Sequence, residues 1–217
     1  MVCVELHAAW PLTDAASIDL RDQLLAAYAD PSRGYHDLRH LAEVLTRLDE
    51  LDGAGATFDR DPVLLAAWFH DGIYDGERDA EERSAAWVER ALPGLVQDDV
   101  VTEVARLVRL TETHRPEADD AGGCALSDAD LAILASDRAR YDEYVATVRV
   151  DYLHVPDDLF VTGRTAVLED LLAKPRLFHT AYAREHWEQP ARANVSAELV
   201  RLAAAQPGGD QPGDQLS

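Results

Sequence analysis

Hydrophobic side chains recur every three or four residues along most of this chain, which is the spacing of amphipathic helices. Runs of alternating β-branched residues bounded by turns, which would indicate strands, are nearly absent. We therefore predict an all-α fold. The predicted helices span Asp14 to Ala29, Leu38 to Leu51, Asp61 to Phe69, Asp79 to Ala91, Asp98 to about His114, Ala129 to Ala135, Asp137 to Leu153, Asp157 to Ala173, and about Pro190 to Ala205.

The sequence predicts two irregular segments and one central helix. The run Val63 to Phe69 is apolar on every side, which predicts a helix buried in the middle of the protein. We predict a loop at residues 119–123. Residues 206–217 are rich in Gly, Pro, Asp and Gln, which predicts a disordered tail. No repeat or linker interrupts the rest, so we expect residues 1–205 to form a single domain.

The composition narrows the range of partners. The 217 residues carry a formal net charge of -21, with 41 acidic against 20 basic residues, which excludes duplex nucleic acid as a natural ligand. No apolar run is long enough to span a bilayer and no signal peptide is recognisable, so we expect a cytoplasmic protein without membrane contact. Cys3 and Cys124 lack the spacing of a metal or disulfide motif and are expected to be unpaired, reduced thiols.

Histidine and aspartate stand at four places where an apolar helical core would not favour them. His36 and His40 are four residues apart, which would put both on one helix face. His70 and Asp71 end the central helix. The remaining two places are Ser127 to Leu131, where a carboxylate opens a short apolar helix, and Thr111 to His114, where a histidine ends a helix.

Such a set of residues indicates a metal site. A buried carboxylate beside buried imidazoles is costly unless it is paired or bound to a cation. Imidazole and carboxylate together suit divalent manganese, iron, cobalt, nickel, zinc or magnesium. No thiolate is placed to help, which argues against a structural zinc site. A bound cation would also let this acidic protein accept a small anionic substrate.

The order of these motifs resembles the HD superfamily of metal-dependent phosphohydrolases, and the resemblance implies a single helical bundle of the HD type. It makes His40, His70, Asp71 and Asp130 the metal ligands, with Asp71 also catalytic and able to bridge to a second ion. Tyr35-His36-x-x-x-His40 is similar to the signature of cyclic-nucleotide phosphodiesterases, in which the first histidine protonates the leaving oxygen. By that analogy His36 is the general acid.

The resemblance covers roughly residues 20 to 200 and looks like one bacterial branch of predicted HD phosphohydrolases. Its further features are Trp68 to Asp75, Glu81 to Ala85, Asp128 to Leu134, Gly163-Arg164 and Ala191 to Asn194. One departure is visible, because Asp79-Ala80-Glu81 stands where Asp-Asn-Glu is expected. Any role of that asparagine in holding water or substrate is therefore in doubt for this chain.

Several assignments stay open at this point. Asp128 competes with Asp130 as ligand, although a helix N-cap is its ordinary role. His114 is a second-metal ligand, a phosphate contact or a helix C-cap. The other residues considered for contacts around the metal or substrate are Glu81, Glu82 and Asp75, which follow the His-Asp doublet, and Arg149 and Arg164, for which a structural ion pair is the alternative.

The function implied by the resemblance is hydrolysis of a small phosphomonoester or phosphodiester, with a nucleotide as one option. The metal would activate a water molecule. Two alternatives are a di-iron oxygenase, which needs histidine ligands beyond the four, and a non-catalytic HD module that binds a ligand.

Overall fold

The computed structural model describes residues 2–77 and 79–205. This part of the chain contains eleven α-helices and one 3-10 helix, and no strands, which confirms the predicted all-α, single-domain fold. The predicted tail, residues 206–217, lies outside the described residues. In chain order the helices are α1 (Val2–Ala9), α2 (Ala15–Tyr28), α3 (Leu38–Gly53), α4 (Arg60–Phe69), α5 (Ala80–Ala91), α6 (Asp98–Leu110), α7 (Ala121–Leu131), the 3-10 helix (Ala132–Ala135), α8 (Arg138–Asp151), α9 (Asp157–Ala173), α10 (Ala181–His186) and α11 (Glu188–Ala205).

Helix α4 is the centre of the core, as its uniformly apolar sequence predicted. All residues from Pro62 to Phe69 are buried. Helices α3, α5, α6 and α7 pack around α4. Burial of apolar surface is the main favourable contribution to folding. Because α4 is packed on all sides, the position of its end is fixed, and His70 and Asp71 follow directly.

Aspartate side chains begin several helices where the sequence placed their starts. Asp14, Asp37 and Asp137 accept hydrogen bonds from backbone N–H groups in the first turns of α2, α3 and α8. These groups have no partner inside the helix, so each cap satisfies donors that would otherwise be lost.

The sequence missed two helices. The first, α1, buries Leu6 and brings Trp10, which directly follows it, edge-on to Trp68 with ring centroids 5.1 Å apart. The other is α10, a helix of six residues capped by Thr180. Both depend on contacts with distant parts of the chain, which local periodicity does not encode. The side chain of Cys3 lies outside the described residues, whereas Cys124 is a free, buried thiol.

Two predicted boundaries around the site were wrong. Helix α6 ends at Leu110 rather than near His114, which adopts a left-handed backbone conformation with φ of 49°. Residues 119–123 are not all loop, because α7 already begins at Ala121. The glycines there allow close packing instead of breaking the helix: a Cβ on Gly123 would lie 2.6 Å from Leu110 Cδ2.

Helices α8 and α9 share the hydrophobic core with α4 but pack mainly against other elements. Helix α9 packs against α11, and α8 packs against the 3-10 helix that follows α7. Only Leu168 and Leu171 of α9 are fully buried. A cleft lies between α9 and the end of α4, and its lining includes Asp71 on one side and Leu159 and Val167 on the other.

Candidate metal centre

Two helix ends bring the first three predicted ligands together. His70 and Asp71 follow the last residue of α4, and His40 lies in the first turn of α3, which packs against α4. Asp37 fixes that turn, because its Oδ1 accepts hydrogen bonds from the backbone N–H groups of Arg39 (2.8 Å) and His40 (3.2 Å). The ligands are thus held by backbone geometry as well as by packing.

The ligand atoms of these residues converge on one point. His40 Nε2 lies 3.1 Å from His70 Nε2 and 3.2 Å from Asp71 Oδ2, and His70 Nε2 lies 3.1 Å from the same Asp71 oxygen. Both imidazoles are 1% exposed. His40, His70 and Asp71 therefore form a buried group that could hold a metal ion.

These separations fit a common cation. Two ligand atoms that are each about 2.1 Å from one ion and about 3.1 Å apart subtend about 95° at that ion, between the ideal octahedral and tetrahedral angles. The donor set of two imidazoles and a carboxylate suits a divalent transition metal. The three residues thus match such an ion in both spacing and chemistry.

The hydrogen bonding of His70 orients its free nitrogen toward the cluster. His70 Nδ1 lies 2.8 Å from the carbonyl oxygen of Ala67. Because a carbonyl only accepts, Nδ1 carries the proton, and in the neutral ring the lone pair of Nε2 points at His40 and Asp71. His40 Nδ1 is buried without a partner in the described part of the chain, so this ring makes its polar contacts through Nε2 alone.

The electrostatics of the cluster attract positive charge. Burial lowers the pKa of His40, but the carboxylates of Asp130 and Asp71 outweigh burial and raise that pKa to about 8. Burial raises the pKa of Asp71, yet the charge of His70 outweighs it and holds the pKa well below the usual range. Two carboxylates beside two buried imidazoles thus favour a proton or a cation in their midst.

Asp130 is the fourth predicted ligand and comes from α7. Its Oδ1 lies 3.3 Å from His40 Nε2 and 3.7 Å from His70 Nε2, so it borders the same point. Asn194 supports the turn that follows, because its Nδ2 donates to the carbonyl oxygens of Leu134 and Ser136 at 2.9 Å each. The position is consistent with the predicted ligand role of Asp130, which remains a prediction.

The N-cap role predicted for Asp128 is wrong. Asp128 lies inside α7 and is fully buried, because α7 begins seven residues before it. Its two carboxylate oxygens accept hydrogen bonds from the backbone N–H groups of His179 (2.8 Å) and Thr180 (2.7 Å). Asp128 therefore anchors the segment that begins α10 instead of capping its own helix.

His36 reaches the site by a different route from the one predicted. It does not share a helix face with His40, because Asp37 between them is the extended N-cap of α3. Instead, His36 Nδ1 lies 2.8 Å from Asp151 Oδ2, and the ring stacks on Tyr74 with centroids 3.7 Å apart. The His36 and His40 rings still lie close, with centroids 5.6 Å apart.

Asp151 was not identified from the sequence. It ends α8, and besides His36 its carboxylate accepts hydrogen bonds from the backbone N–H groups of Gly34 (2.5 Å) and Tyr35 (3.1 Å). Burial raises the pKa of Asp151, but the hydrogen bond and charge of His36 outweigh it and lower the pKa. The carboxylate is therefore ionised and holds His36 by Nδ1, which leaves Nε2 free.

Arg33 was also missed. Its guanidinium donates to three carbonyl oxygens, those of His36 (2.8 Å), Asp71 (2.7 Å) and Gly72 (3.0 Å). It also lies over the ring of Tyr28, 5.0 Å from the centroid. Arg33 therefore joins the segment before α3 to the segment after α4, the two that carry the histidine motifs.

His114 and Glu81 border the cluster at a greater distance. His114 Nε2 lies 3.6 Å from Asp130 Oδ2, and its Nδ1 lies 3.2 Å from Ser127 Oγ. Burial lowers the pKa of His114 to about 4, so its imidazole is neutral near pH 7. Glu81 is half-buried in the same cleft, and burial raises the pKa of its carboxyl group.

The remaining predicted candidates make ion pairs. Asp75 pairs with Arg83, and Glu82 pairs with Arg109, both on the surface. Arg149 pairs with Asp157 and donates to the carbonyl oxygens of Tyr152 and Val155. Arg164 lines the cleft, but its guanidinium is bound to Glu198 and to the hydroxyl of Tyr144.

The cluster opens into a cleft of about 790 Å³, within the range of small-molecule sites. Asp71, Asp130, His36 and His114 line one part of it, and side chains of α8 and α9 line much of the rest. Of the quartet, the two carboxylates thus face a space that a substrate could enter, and His36 faces the same space.

Comparison of the chain with protein-family models, with curated proteins and with solved structures finds no match. Among the described residues, none of the helices combines the length and the apolar character that crossing a membrane requires.

Proposed function

We propose that this protein is a metal-dependent phosphohydrolase of the HD superfamily, acting on a small phosphoester. The observation that supports this proposal most is the convergence of His40, His70 and Asp71 at one point beside an open cleft. The order of the motifs along the chain, which resembles that superfamily, is independent support.

The metal would be held by His40, His70 and Asp71, with Asp130 as the fourth ligand. When bound, a divalent cation supplies Lewis-acid activation of a water molecule and of a phosphoryl oxygen. The carbonyl of Ala67 holds the His70 ring in the tautomer that presents Nε2. Asp71 and Asp130 contribute the negative charge that retains the cation in the site.

His36 would act as the general acid. With Nδ1 directed to Asp151, its Nε2 is the nitrogen available to the leaving group. In hydrolysis the oxygen of one water molecule forms a bond to phosphorus and releases a proton to solvent, the ester bond breaks, and the departing oxygen takes the proton of His36, which regains one from solvent. General acids of this kind contribute about 10²–10⁴-fold to rates. Asp151 stabilises the imidazolium until that proton is transferred.

The proposal is tested by elemental analysis together with a phosphoester panel. The purified protein is loaded separately with Mn²⁺, Fe²⁺, Co²⁺, Ni²⁺, Zn²⁺ and Mg²⁺, and release of phosphate or p-nitrophenol is followed with p-nitrophenyl phosphate and bis(p-nitrophenyl) phosphate. We expect turnover that EDTA abolishes and that Asp71→Ala lacks. Bound metal without turnover of any ester would overturn the proposal.

A second candidate, a di-iron oxygenase, draws on the position of His114. This neutral imidazole lies 3.6 Å from Asp130, where it could serve as a further ligand. Protein isolated with two irons and an oxygen-sensitive optical band, and with no phosphoester turnover, would favour that candidate over hydrolysis. Tight ligand binding with neither metal nor turnover would instead favour a non-catalytic module.

A further inference from the structure

The cleft continues well beyond the candidate metal ligands, and its far part is apolar. There the walls are formed by apolar side chains of α8, α9 and the segment between them, such as Val148, Val155, Leu159, Phe160 and Val167. Leu159 is 60% exposed and Val167 54% exposed, although both line the cleft. Exposed apolar surface that is continuous with a polar site is the usual form of a ligand pocket.

The two cations that line the cleft beyond the histidines are both held by other groups of the protein. In the described part of the chain, the basic side chains other than histidine that line it are Arg164 and Lys174. Arg164 is neutralised by Glu198 at 2.8 Å. Lys174 donates to the carbonyl oxygens of Thr113 (2.8 Å) and His114 (3.2 Å).

Among the cleft-lining groups without an ion-pair partner in the described part of the chain, carboxylates outnumber cations. Glu81 and Glu112 are unpaired, whereas Asp170, which also lines the cleft, pairs with Arg115. A second or third phosphate group placed along this wall would lie near these two carboxylates, while the cations of the cleft are already bound to other protein groups, which is unfavourable. The charge pattern therefore disfavours nucleoside diphosphates and triphosphates.

We propose that the substrate is a phosphomonoester with an apolar organic group. This inference rests on the proposed function, since it places the phosphate at the metal cluster. The apolar group lies against the cleft wall formed by α8 and α9, where Leu159, Phe160 and Val167 contact it. The side chains of Leu159, Phe160 and Val167 have no polar groups that could read a nucleobase.

Gly163 provides a way to test this placement. It lies in the part of α9 that lines the cleft, and a Cβ added to it would meet nothing within 4 Å. A leucine at this position would therefore enter the cleft without disturbing the core. Gly53, in α3, also has open space around it and does not line the cleft, so Gly53→Leu is a matched control.

The experiment measures binding of ethyl, butyl and octyl phosphate by titration calorimetry to the Mn²⁺-loaded full chain, below micelle-forming concentrations, with AMP as the comparison. We expect affinity to rise with chain length by up to about fourfold per methylene group. Gly163→Leu should weaken octyl phosphate by about tenfold or more and leave ethyl phosphate unchanged, whereas Gly53→Leu should change neither.

Equal affinity for all chain lengths, or tighter binding of AMP than of octyl phosphate, would overturn the inference even if phosphoesters are hydrolysed. Dimerisation that closes the cleft, seen by sedimentation, with no dependence on chain length would also overturn it. If affinity follows chain length and Gly163→Leu reduces it, but no phosphate is released, the apolar site stands and the proposed hydrolysis fails.

Discussion

The two walls of the cleft are built differently. The wall that carries the candidate metal ligands is formed by the ends of α3 and α4, and α4 buries eight of its ten residues. The opposite wall is α9 with the end of α8, and α9 buries only two of its seventeen residues. A buried wall keeps charged ligands in fixed positions, whereas an exposed wall can accept different side chains without loss of the core.

The carboxylate of Asp151 joins the two walls next to the proposed general acid, His36. Asp151, at the end of α8, binds the backbone of Gly34 and Tyr35 and the ring of His36. Through this carboxylate, the position of α8 determines the orientation of the proposed acid. In the proposed function, the buried wall would hold the cation, and the exposed wall would orient His36 and provide the space for the substrate.

The largest effect is expected when the buried wall loses a ligand. Asp71→Ala should weaken metal binding and abolish turnover, because it removes the carboxylate closest to both imidazoles, at 3.2 Å and 3.1 Å, and leaves Asp130 at 3.3 Å and 3.7 Å. A ligand present at a hundred times its Kd stabilises a fold by about 2.7 kcal/mol. The rise in melting temperature that Mn²⁺ gives the wild-type protein should therefore disappear in Asp71→Ala.

Asp75→Ala is the matched control for that variant, because Asp75 lies four residues away and pairs with Arg83 on the surface. It should keep both the metal and the thermal shift. If Asp71→Ala bound metal as tightly as the wild type by elemental analysis, the buried wall would not be the metal site.

The next largest effect is expected where the two walls touch. A Cβ on Gly34 would lie 2.1 Å from the carbonyl oxygen of Thr147 in α8. Gly34→Ala should force α8 away from the site and reduce the free energy of unfolding by about 1–3 kcal/mol, as overpacking does. Urea denaturation measures this loss, and kcat should fall because Asp151 moves with α8.

Gly53→Ala serves as the control, since nothing lies within 4 Å of the new Cβ. Alanine is a better helix former than glycine, so this change should leave the free energy of unfolding unchanged or raise it by up to about 1 kcal/mol. Equal destabilisation by both variants would mean that the contact between Gly34 and α8 is not tight.

The same difference between the walls explains what the sequence could reveal. Helical periodicity and the apolar run of α4 predicted the all-α fold and the central helix, because both are local properties. The grouping of His40, His70 and Asp71 was predicted from their chemistry and from a resemblance in motif order. Each of these residues lies at a helix end next to a recognisable apolar pattern.

The residues that were missed act across long separations in sequence. Asp151 binds His36 from 115 positions away, and Arg33 reaches the carbonyl of Asp71 from 38 positions away. Nothing in the local sequence distinguishes either from a solvent-exposed charge. Asp128 was misassigned for the same reason, since its partners are the backbone N–H groups of His179 and Thr180.

A smaller effect is expected from removing the charge of Asp151, the carboxylate that joins the two walls. Asp151→Asn keeps an oxygen acceptor but no longer stabilises protonated His36. We expect kcat to fall by about tenfold to a hundredfold, a part of what a general acid contributes. Metal content, measured by elemental analysis, should be unchanged because Asp151 does not contact the cluster ligands His40, His70 or Asp71.

Asp157→Asn is the control for Asp151→Asn, because Asp157 is an exposed carboxylate at the start of α9 that pairs with Arg149. Its kcat should match that of the wild type. A loss of metal from Asp151→Asn would contradict the division between the two walls, since it would give the α8 carboxylate a part in holding the cation.

The smallest effect is expected outside both walls. Glu82 follows Glu81 directly, yet it points away from the cleft and pairs with Arg109 on the surface. Exposed ion pairs contribute about 0–1 kcal/mol, so Glu82→Ala should change the free energy of unfolding by less than about 1 kcal/mol and leave kcat/KM within about twofold.

Glu81→Gln, which alters a half-buried group in the cleft, should change KM instead. If Glu82→Ala lowered kcat/KM more than Glu81→Gln does, residues outside the cleft would take part in the reaction, and the cleft would not be the whole site.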